Sequence, residues 1–484
     1  MKNYMTQPKS PENQKDRPHK SKHASRILTR REMLTETGGG LAGIALAWLT
    51  AGKASLSAKT YNALPKSTHF TPKAKQVIFI YMGGGPSQMD LFDPKPMLTR
   101  YNGGPIPFDV NQRAIDGSTK LMGSPFSFRK YGQSGIELSE LLPGLSEVVD
   151  EIALIRSGVT TRIDHGEALL MMHTGRPLSG FPSMGCWITY ALGSENENMP
   201  AYIAIPDSGP ERTRNAISCG WLPALYQGTP FNVTGTPIFD LKRPDSISEA
   251  EQRRYLDLTQ SLNQRHRRTR PGITALDARI RNFELAATMQ VEAMQQVDLS
   301  RESEPTKRLY GMQHEETNKF GTQCLIARRL IESGVRFVHL IRNDWDHHSK
   351  LHDQLVRSTG QTDRPVAGLI QDLKQRGLLD STLVIWAGEF GRLPVVQGTD
   401  GRDHNPYGFS FWMAGGGIKG GTVHGATDDF SYKAVLDPVT MPDFHTTILH
   451  QLGLDSENVS FPFEGRDETL TGPETPRIIH PILA

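Results

Sequence analysis

Three apolar runs rich in β-branched residues, QVIFIYM at 76–82, VRFVHLI at 335–341 and TLVIWA at 382–387, each stop abruptly at glycine or at a burst of Asn, Asp, His and Glu. Runs this short, without polar alternation, read as strands buried on both faces, the pattern of a parallel sheet. Helical spacing separates them, over much of 275–334 before Gly334 and again around 364–377. Residues 152–155 and 201–205 are further strand candidates, and 388–421 is turn-rich. The expected fold class is therefore α/β, a mostly parallel sheet flanked by helices. Residues 225–270 are polar and Arg-rich (QRHRRTRPG), so a polar and helical insertion or cap is expected around 225–320.

The polar bursts after the strands bear on function. NDWDHHS comes after 335–341, GEFGR after 382–387, and GRDHNP soon afterwards. In open α/β sheets functional groups gather beyond the carboxyl ends of the strands. Asp, Glu and His there offer the oxygen and imidazole donors that divalent cations take. The pattern points to a metal-dependent hydrolytic site.

The N-terminus speaks to location. Residues 1–31 hold nine Lys or Arg and close with Thr29-Arg30-Arg31, and a short, glycine-softened apolar stretch spans 38–51. This is the outline of a twin-arginine export leader, with cleavage expected near 54–58 and the mature domain at 59–484. The stretch is too short for a transmembrane helix, which needs about 20 apolar residues, and no transmembrane segment is expected in the mature chain. The export machinery is thus one expected partner, and the expected location is periplasmic or extracellular. Residues 1–58 contain ten Lys/Arg against four Asp/Glu, a net of +6, so the whole-chain charge of +2 leaves −4 for the rest. That disfavours nucleic acid as a partner. Cys186, Cys219 and Cys324 are odd in number and lack a C-x-x-C, so no disulfide framework is indicated.

The ordered set GGGPSQMDLFDPKP, HGEALLMMHTGRP, NDWDHHS, DLKQRGLLDSTLVIWAGEFGRLP, GRDHNPYGFSFWMAGGGIKGGTVHGATDD and DFHTTILHQLGLD covers nearly all of the mature chain. It resembles the sulfatase-like bacterial family called domain of unknown function 1501. That family is similar in turn to the alkaline phosphatase superfamily, whose members use divalent metals at the end of a parallel sheet to cleave phosphate or sulfate esters. The resemblance implies an alkaline phosphatase-like fold, a divalent ion of the zinc, calcium or manganese type, and a small anionic ester as substrate.

Carried over residue by residue, the resemblance is uneven. The superfamily's first strand ends in a metal-binding Asp, but QVIFIYM ends in glycine, which leaves Asp90 or Asp93 as the substitute. Where sulfatases carry a nucleophilic Cys or Ser, the offset from Thr174 lands on His165; structural histidine, metal ligand and base or nucleophile all remain open, and Ser87 could reach the same cleft. Asp346 and His348 resemble the family's Trp-Asp-x-His element, and on an extended segment i and i+2 point to one side. Asp344 competes with them through the superfamily's Asp-x-x-x-His spacing. Glu389 stands where a metal-binding Asp is usual, and His404 where the superfamily has its last metal-binding His, with Asp403 as ligand or orienter. Arg392 and Arg402 could pair with the terminal oxygens of an ester. The expected function is an exported, metal-dependent phosphate or sulfate ester hydrolase. The alternative is a catalytically silent, metal-stabilised extracytoplasmic binding protein that kept the fold and lost the nucleophile.

Overall fold

In the computed structural model the described residues are 63–108, 120–207, 213–233, 235, 237–238, 246–270 and 292–484, with 276, 280, 285 and 289 between them. They fall in one compact unit, Lys59–Ala484. The expected export leader lies outside the described residues, as does much of 271–291.

The first twelve strands in chain order are β1 (Gln76–Met82), β2 (Phe128–Tyr131), β3 (Ile136–Ser139), β4 (Ile152–Gly158), β5 (Tyr202–Pro206), β6 (Thr229–Pro230), β7 (Phe337–Arg342), β8 (Thr382–Ala387), β9 (Gly391–Gln397), β10 (Gly401–Asn405), β11 (Phe409–Ala414) and β12 (Thr422–His424). Eight of them form one sheet in the order β12-β4-β11-β8-β1-β7-β5-β6. Every pairing in it is parallel except those of β11, which runs antiparallel to both β4 and β8. β9 and β10 make a separate hairpin, as do β2 and β3.

β1 is central and buried throughout. Because successive side chains alternate across a strand, its Ile78, Ile80 and Met82 join one core cluster while Val77, Phe79 and Tyr81 join the other. The first cluster packs under the helices Glu315–Glu332 and Leu351–Gln375, through residues such as Leu325, Leu355 and Leu369. The second packs under His165–Thr174, Met184–Leu192 and Met441–Gln451, through Met172, Trp187 and Phe444. This is the α/β fold expected from the sequence.

Two departures matter. The segment read as turn-rich holds β9, β10 and β11. The helix expected around 364–377 begins at Leu351 and carries Pro365 inside it. Between β6 and Glu315 the described residues add no strand to the sheet, and the helix Glu249–Thr269 buries none of its residues. Among the described residues, no helix is long and apolar enough to cross a membrane.

Candidate metal centre

β8, β1 and β7 lie side by side and parallel, so the segments after their carboxyl ends emerge at one edge. From β1 comes the turn Gly83-Gly84-Gly85. Gly84 has φ +118°, and a Cβ there would sit 2.4 Å from the Asp346 amide nitrogen. Only glycine lets the loop after β7 pass this close, and that loop carries Asp346 and His348. Glu389 follows β8, His404 lies on β10, and His165 opens a helix whose first turn is capped by the Asp164 carboxylate on Gly166 and Glu167 N–H.

These residues converge. Asp346 Oδ1 lies 2.8 Å from His348 Nε2 and 3.3 Å from His404 Nε2, and its Oδ2 lies 3.1 Å from His165 Nε2. The Nε2 atoms of His348 and His404 face each other at 3.0 Å. One donor atom from each of His165, Asp346, His348 and His404 lies within 4.8 Å of the others.

The far nitrogens explain why the rings face inward. His165 Nδ1 donates to Glu389 Oε1 at 2.8 Å, His348 Nδ1 lies 2.5 Å from Gln397 Oε1, and His404 Nδ1 donates to the Ile163 carbonyl at 2.7 Å. An acceptor on Nδ1 fixes the tautomer that leaves the Nε2 lone pair free, which is how proteins orient metal-binding histidines. Two ligands roughly 2.1 Å from one tetrahedral ion are themselves about 3.4 Å apart, close to the spacings seen here. Three imidazoles and one carboxylate thus fit a transition-type divalent ion in chemistry, orientation and size.

The electrostatics agree with a site built for positive charge. Burial opposes ionisation of Asp346, but its bonds to His165, His348 and His404 and the Arg392 charge hold it well below the usual carboxylate range. Burial also works against protonation of His165, yet hydrogen bonds to Asp346 and Glu389 outweigh it and raise its pKa to about 9. In Glu389, burial is opposed by His165, with the net effect a lowered pKa. His404 is lowered, chiefly by burial.

Several residues singled out from the sequence do other work. Asp90 is fully buried and forms a two-oxygen pair with Arg402, at 2.8 Å to Nε and 3.1 Å to Nη2, so it has no oxygen to give to the cluster. Ser87 is equally buried and donates to Asp90 at 2.5 Å, away from the cleft. Arg392 is not free to clamp an ester. It is wholly buried, donating to the carbonyls of Gly85 at 2.9 Å, Arg402 at 2.9 Å and Trp345 at 3.3 Å, to the Gly84 carbonyl, and to Asp346 Oδ1 at 2.6 Å. Arg402 is spent on Asp90. Asp344 pairs with Arg342 at 3.1 Å, leaving Asp346 as the loop's contribution. Glu389 accepts the Gly84 N–H at 2.9 Å besides holding His165, and it is buried behind that ring. Asp403 turns back to its neighbour's N–H, 2.8 Å from His404 N, and stays 3.9 Å from His348 Nδ1.

The sequence reading missed Gln397 and the Ile163 carbonyl, whose roles depend on hydrogen bonds that no local motif announces. It also missed the cavity beside the cluster. This space, about 360 Å³, is lined by Tyr81, Gly83, Gly84, His165, Gly166, Leu169, Asn215, Asn343, Asp346 and Glu389. Asp346 is about 43% exposed, so the cage opens to solvent.

A family model described as a protein of unknown function (DUF1501) matches residues 74–483. No curated protein matches the sequence. Among solved structures, the lipoteichoic acid synthase LtaP from Listeria monocytogenes is 11% identical over 82% of this chain and 77% of that one, with a TM-score of 0.36. The PsFucS1 sulfatase from Pseudoalteromonas sp. is 13% identical over 89% and 75%, at 0.33. The C-terminal periplasmic domain of EcEptC from Escherichia coli, in complex with Zn, is 10% identical over 85% and 91%, at 0.35. At this level of likeness the residues of the site, not the neighbours, bear the functional argument.

Proposed function

The chain belongs to the DUF1501 family of proteins of unknown function, and from that premise we propose that it is an exported, metal-dependent hydrolase of phosphate or sulfate esters. The observation that carries the reading is the inward-facing cage. Three histidine Nε2 atoms and the Asp346 carboxylate share one small volume, and every far nitrogen is held by an acceptor. Zinc or a manganese-type ion suits this donor set, whereas calcium prefers six to eight oxygens. Bound there, a divalent ion supplies Lewis-acid polarisation and acidifies water.

The chain's own residues have distinct parts. His165, His348, His404 and Asp346 hold the ion. Glu389 keeps the His165 ring turned inward, and Arg392 fixes Asp346 against the Gly84-Gly85 turn. His165 Nδ1 is held by Glu389, and its Nε2, turned into the cage 3.1 Å from Asp346 Oδ2, goes to the ion in this reading, which leaves no nitrogen for attack. The reading therefore assigns it to the ligand set and gives the attacking role to water. The binding-protein alternative draws on the same fact, since no described Ser, Thr or Cys lines the cavity.

Metal analysis and a panel of chromogenic sulfate and phosphate esters test both. The expected result is a bound divalent ion, lost in His348→Ala and His404→Ala, and ester turnover that chelation abolishes. His165→Ala should lower metal occupancy, with activity partly restored at saturating metal. Metal-loaded protein silent on every ester moves the assignment to the binding protein, and wild-type protein that takes up no ion refutes the cage.

Export through the Arg30-Arg31 leader belongs to the same proposal. Replacing both arginines with lysine should leave precursor in the cytoplasm, and unaltered export of that variant refutes the twin-arginine route.

A further inference from the structure

The helix Glu249–Thr269 stands apart from the sheet and the cage. It is 21 residues long and buries none of them, an arm of about 31 Å at 1.5 Å per residue. A helix in water draws most of its stability from an apolar stripe packed on a core. Here the stripe is present and faces solvent. Tyr255, Leu258 and Leu262 follow one another at i, i+3 and i+7, on one side of the helix, and are 59%, 57% and 56% exposed.

The same helix concentrates positive charge. Residues 249–270 hold six arginines against Glu249, Glu251 and Asp257, a net of +3, whereas residues 59–484 as a whole carry −4. No acid follows Asp257 before Arg270, and Arg265, Arg267, Arg268 and Arg270 fall within six residues. All six arginines are exposed, and none pairs with a carboxylate among the described residues. Arginines elsewhere are used differently: Arg328, Arg392 and Arg402 are each buried against an acid. Arg254 lies one turn before Leu258 and Arg265 one turn after Leu262, so cations flank the apolar stripe.

These features separate the possible occupants. A second copy is a poor match, because three apolar side chains fall far short of the roughly 800 Å² per partner of a stable interface. A parallel pair would also set two arginine clusters side by side. A soluble polyanion would engage the arginines and leave the apolar stripe in water. A bilayer with anionic headgroups takes both, the stripe at the boundary of headgroups and acyl chains and the cations at the lipid phosphates.

We propose that the helix Glu249–Thr269 docks on an anionic lipid membrane, lying along its surface with Tyr255, Leu258 and Leu262 inserted and Arg254, Arg265 and the arginines after it on lipid phosphates. The protein is then a peripheral one, attached without a membrane-crossing helix, of which there is none among the described residues. This stands independently of the metal reading of the cage.

The test is sedimentation of the mature chain, residues 59–484, with vesicles of equal parts phosphatidylglycerol and phosphatidylcholine or of phosphatidylcholine alone. The basic leader is left off so that it cannot supply the attraction. Binding to the anionic vesicles should be at least about ten-fold tighter at about 0.1 M salt, and should fall away at about 1 M, where the screening length is only about 3 Å. Replacing Arg265, Arg267 and Arg268 together by Gln should weaken it at least about ten-fold, since each cation near an anionic surface is worth about five-fold. Leu258→Gln combined with Leu262→Gln keeps every charge and the helix propensity, and should also cost about ten-fold or more through lost apolar burial. These side chains are exposed, so urea midpoints and zinc content should match the parent in both variants. No binding, equal binding to the two kinds of vesicle, or full affinity in the arginine variant overturns the proposal. Full affinity in the leucine variant alone overturns it in favour of a soluble polyanion. A dimer in sedimentation equilibrium that the leucine variant breaks, with no vesicle binding, overturns it in favour of a second copy.

Discussion

Arg392 lies beneath the cage as a brace between loops. Its guanidinium joins the Gly84 and Gly85 carbonyls of the first turn, the Trp345 carbonyl and Asp346 carboxylate of the second loop, and the Arg402 carbonyl of the β9–β10 hairpin. Only a planar fork with several fixed donors can do this, and lysine carries its charge as a point. Arg392→Lys is therefore expected to release Asp346 and lower zinc affinity about 10- to 100-fold, the usual cost of losing a group that orients a ligand. It should also cost on the order of 2–3 kcal/mol of stability through the stranded carbonyls. Competition titration against a chelator checks the first and urea unfolding the second; unchanged zinc affinity refutes the bracing role. The sequence made Arg392 look like an ester clamp because a strand-end arginine among acids carries the same local signature in either role. Asp346 and His348 could be drawn together from their i, i+2 spacing on an extended segment, whereas His404 came only from the family resemblance. Asp90 could not be placed, since its partner Arg402 is distant in sequence and claims both its oxygens.

Among elements, two of the parallel strands could be read to the residue, while Ile152–Gly158 was read three residues short and β6 and β12 were not read. β1 and β8 have the bounds 76–82 and 382–387 that their apolar composition indicated. These strands sit inside the sheet with both faces covered, so composition alone marks them. β9 and β11 were hidden for physical reasons. β9 contains Pro394, which argues against a central strand, and it is tolerated because β9 lies outside the main sheet, in a two-stranded sheet with β10. β11 lies between HNPYG and GGG, so its turn-forming flanks mask FSFWMA, and it enters the sheet antiparallel. The long helix Leu351–Gln375 was read short because Pro365 lacks the N–H that its turn needs and normally ends a helix. Here the core decides otherwise. Leu351 and Leu355 before the proline and Val366, Leu369 and Ile370 after it are buried in one cluster, and that burial outweighs one missing bond.

At the scale of the whole molecule, the face of the sheet behind the cage holds histidines that the candidate site does not use. His173 Nδ1 donates to the Leu169 carbonyl at 2.8 Å and its Nε2 meets His339 Nε2 at 3.4 Å, while His339 Nδ1 lies 3.0 Å from the Tyr202 hydroxyl. His445, on the helix Met441–Gln451, lies 2.7 Å from the Met172 carbonyl. Burial pushes His173 and His445 down to about 4 and His339 well below its ordinary value. An unfolded chain takes up these protons near pH 6.5, whereas the folded form resists them until about pH 4. Between those limits the unfolded state binds more protons, so stability must fall as the pH is lowered. Asp363, raised to about 6 by burial, and the raised His165 and His348 work the other way, but the lowered imidazoles, His347 among them, outnumber these groups. At pH 5 the loss is on the order of 2 kcal/mol for each of His173 and His445. Urea unfolding of chelated protein at pH 6.5 and 5.0 measures it without interference from metal release. His445→Gln, which retains a donor for Met172 and cannot titrate, should reduce the drop by about that amount, and stability that is flat or rising toward pH 5 shows that these imidazoles are not held neutral by the fold.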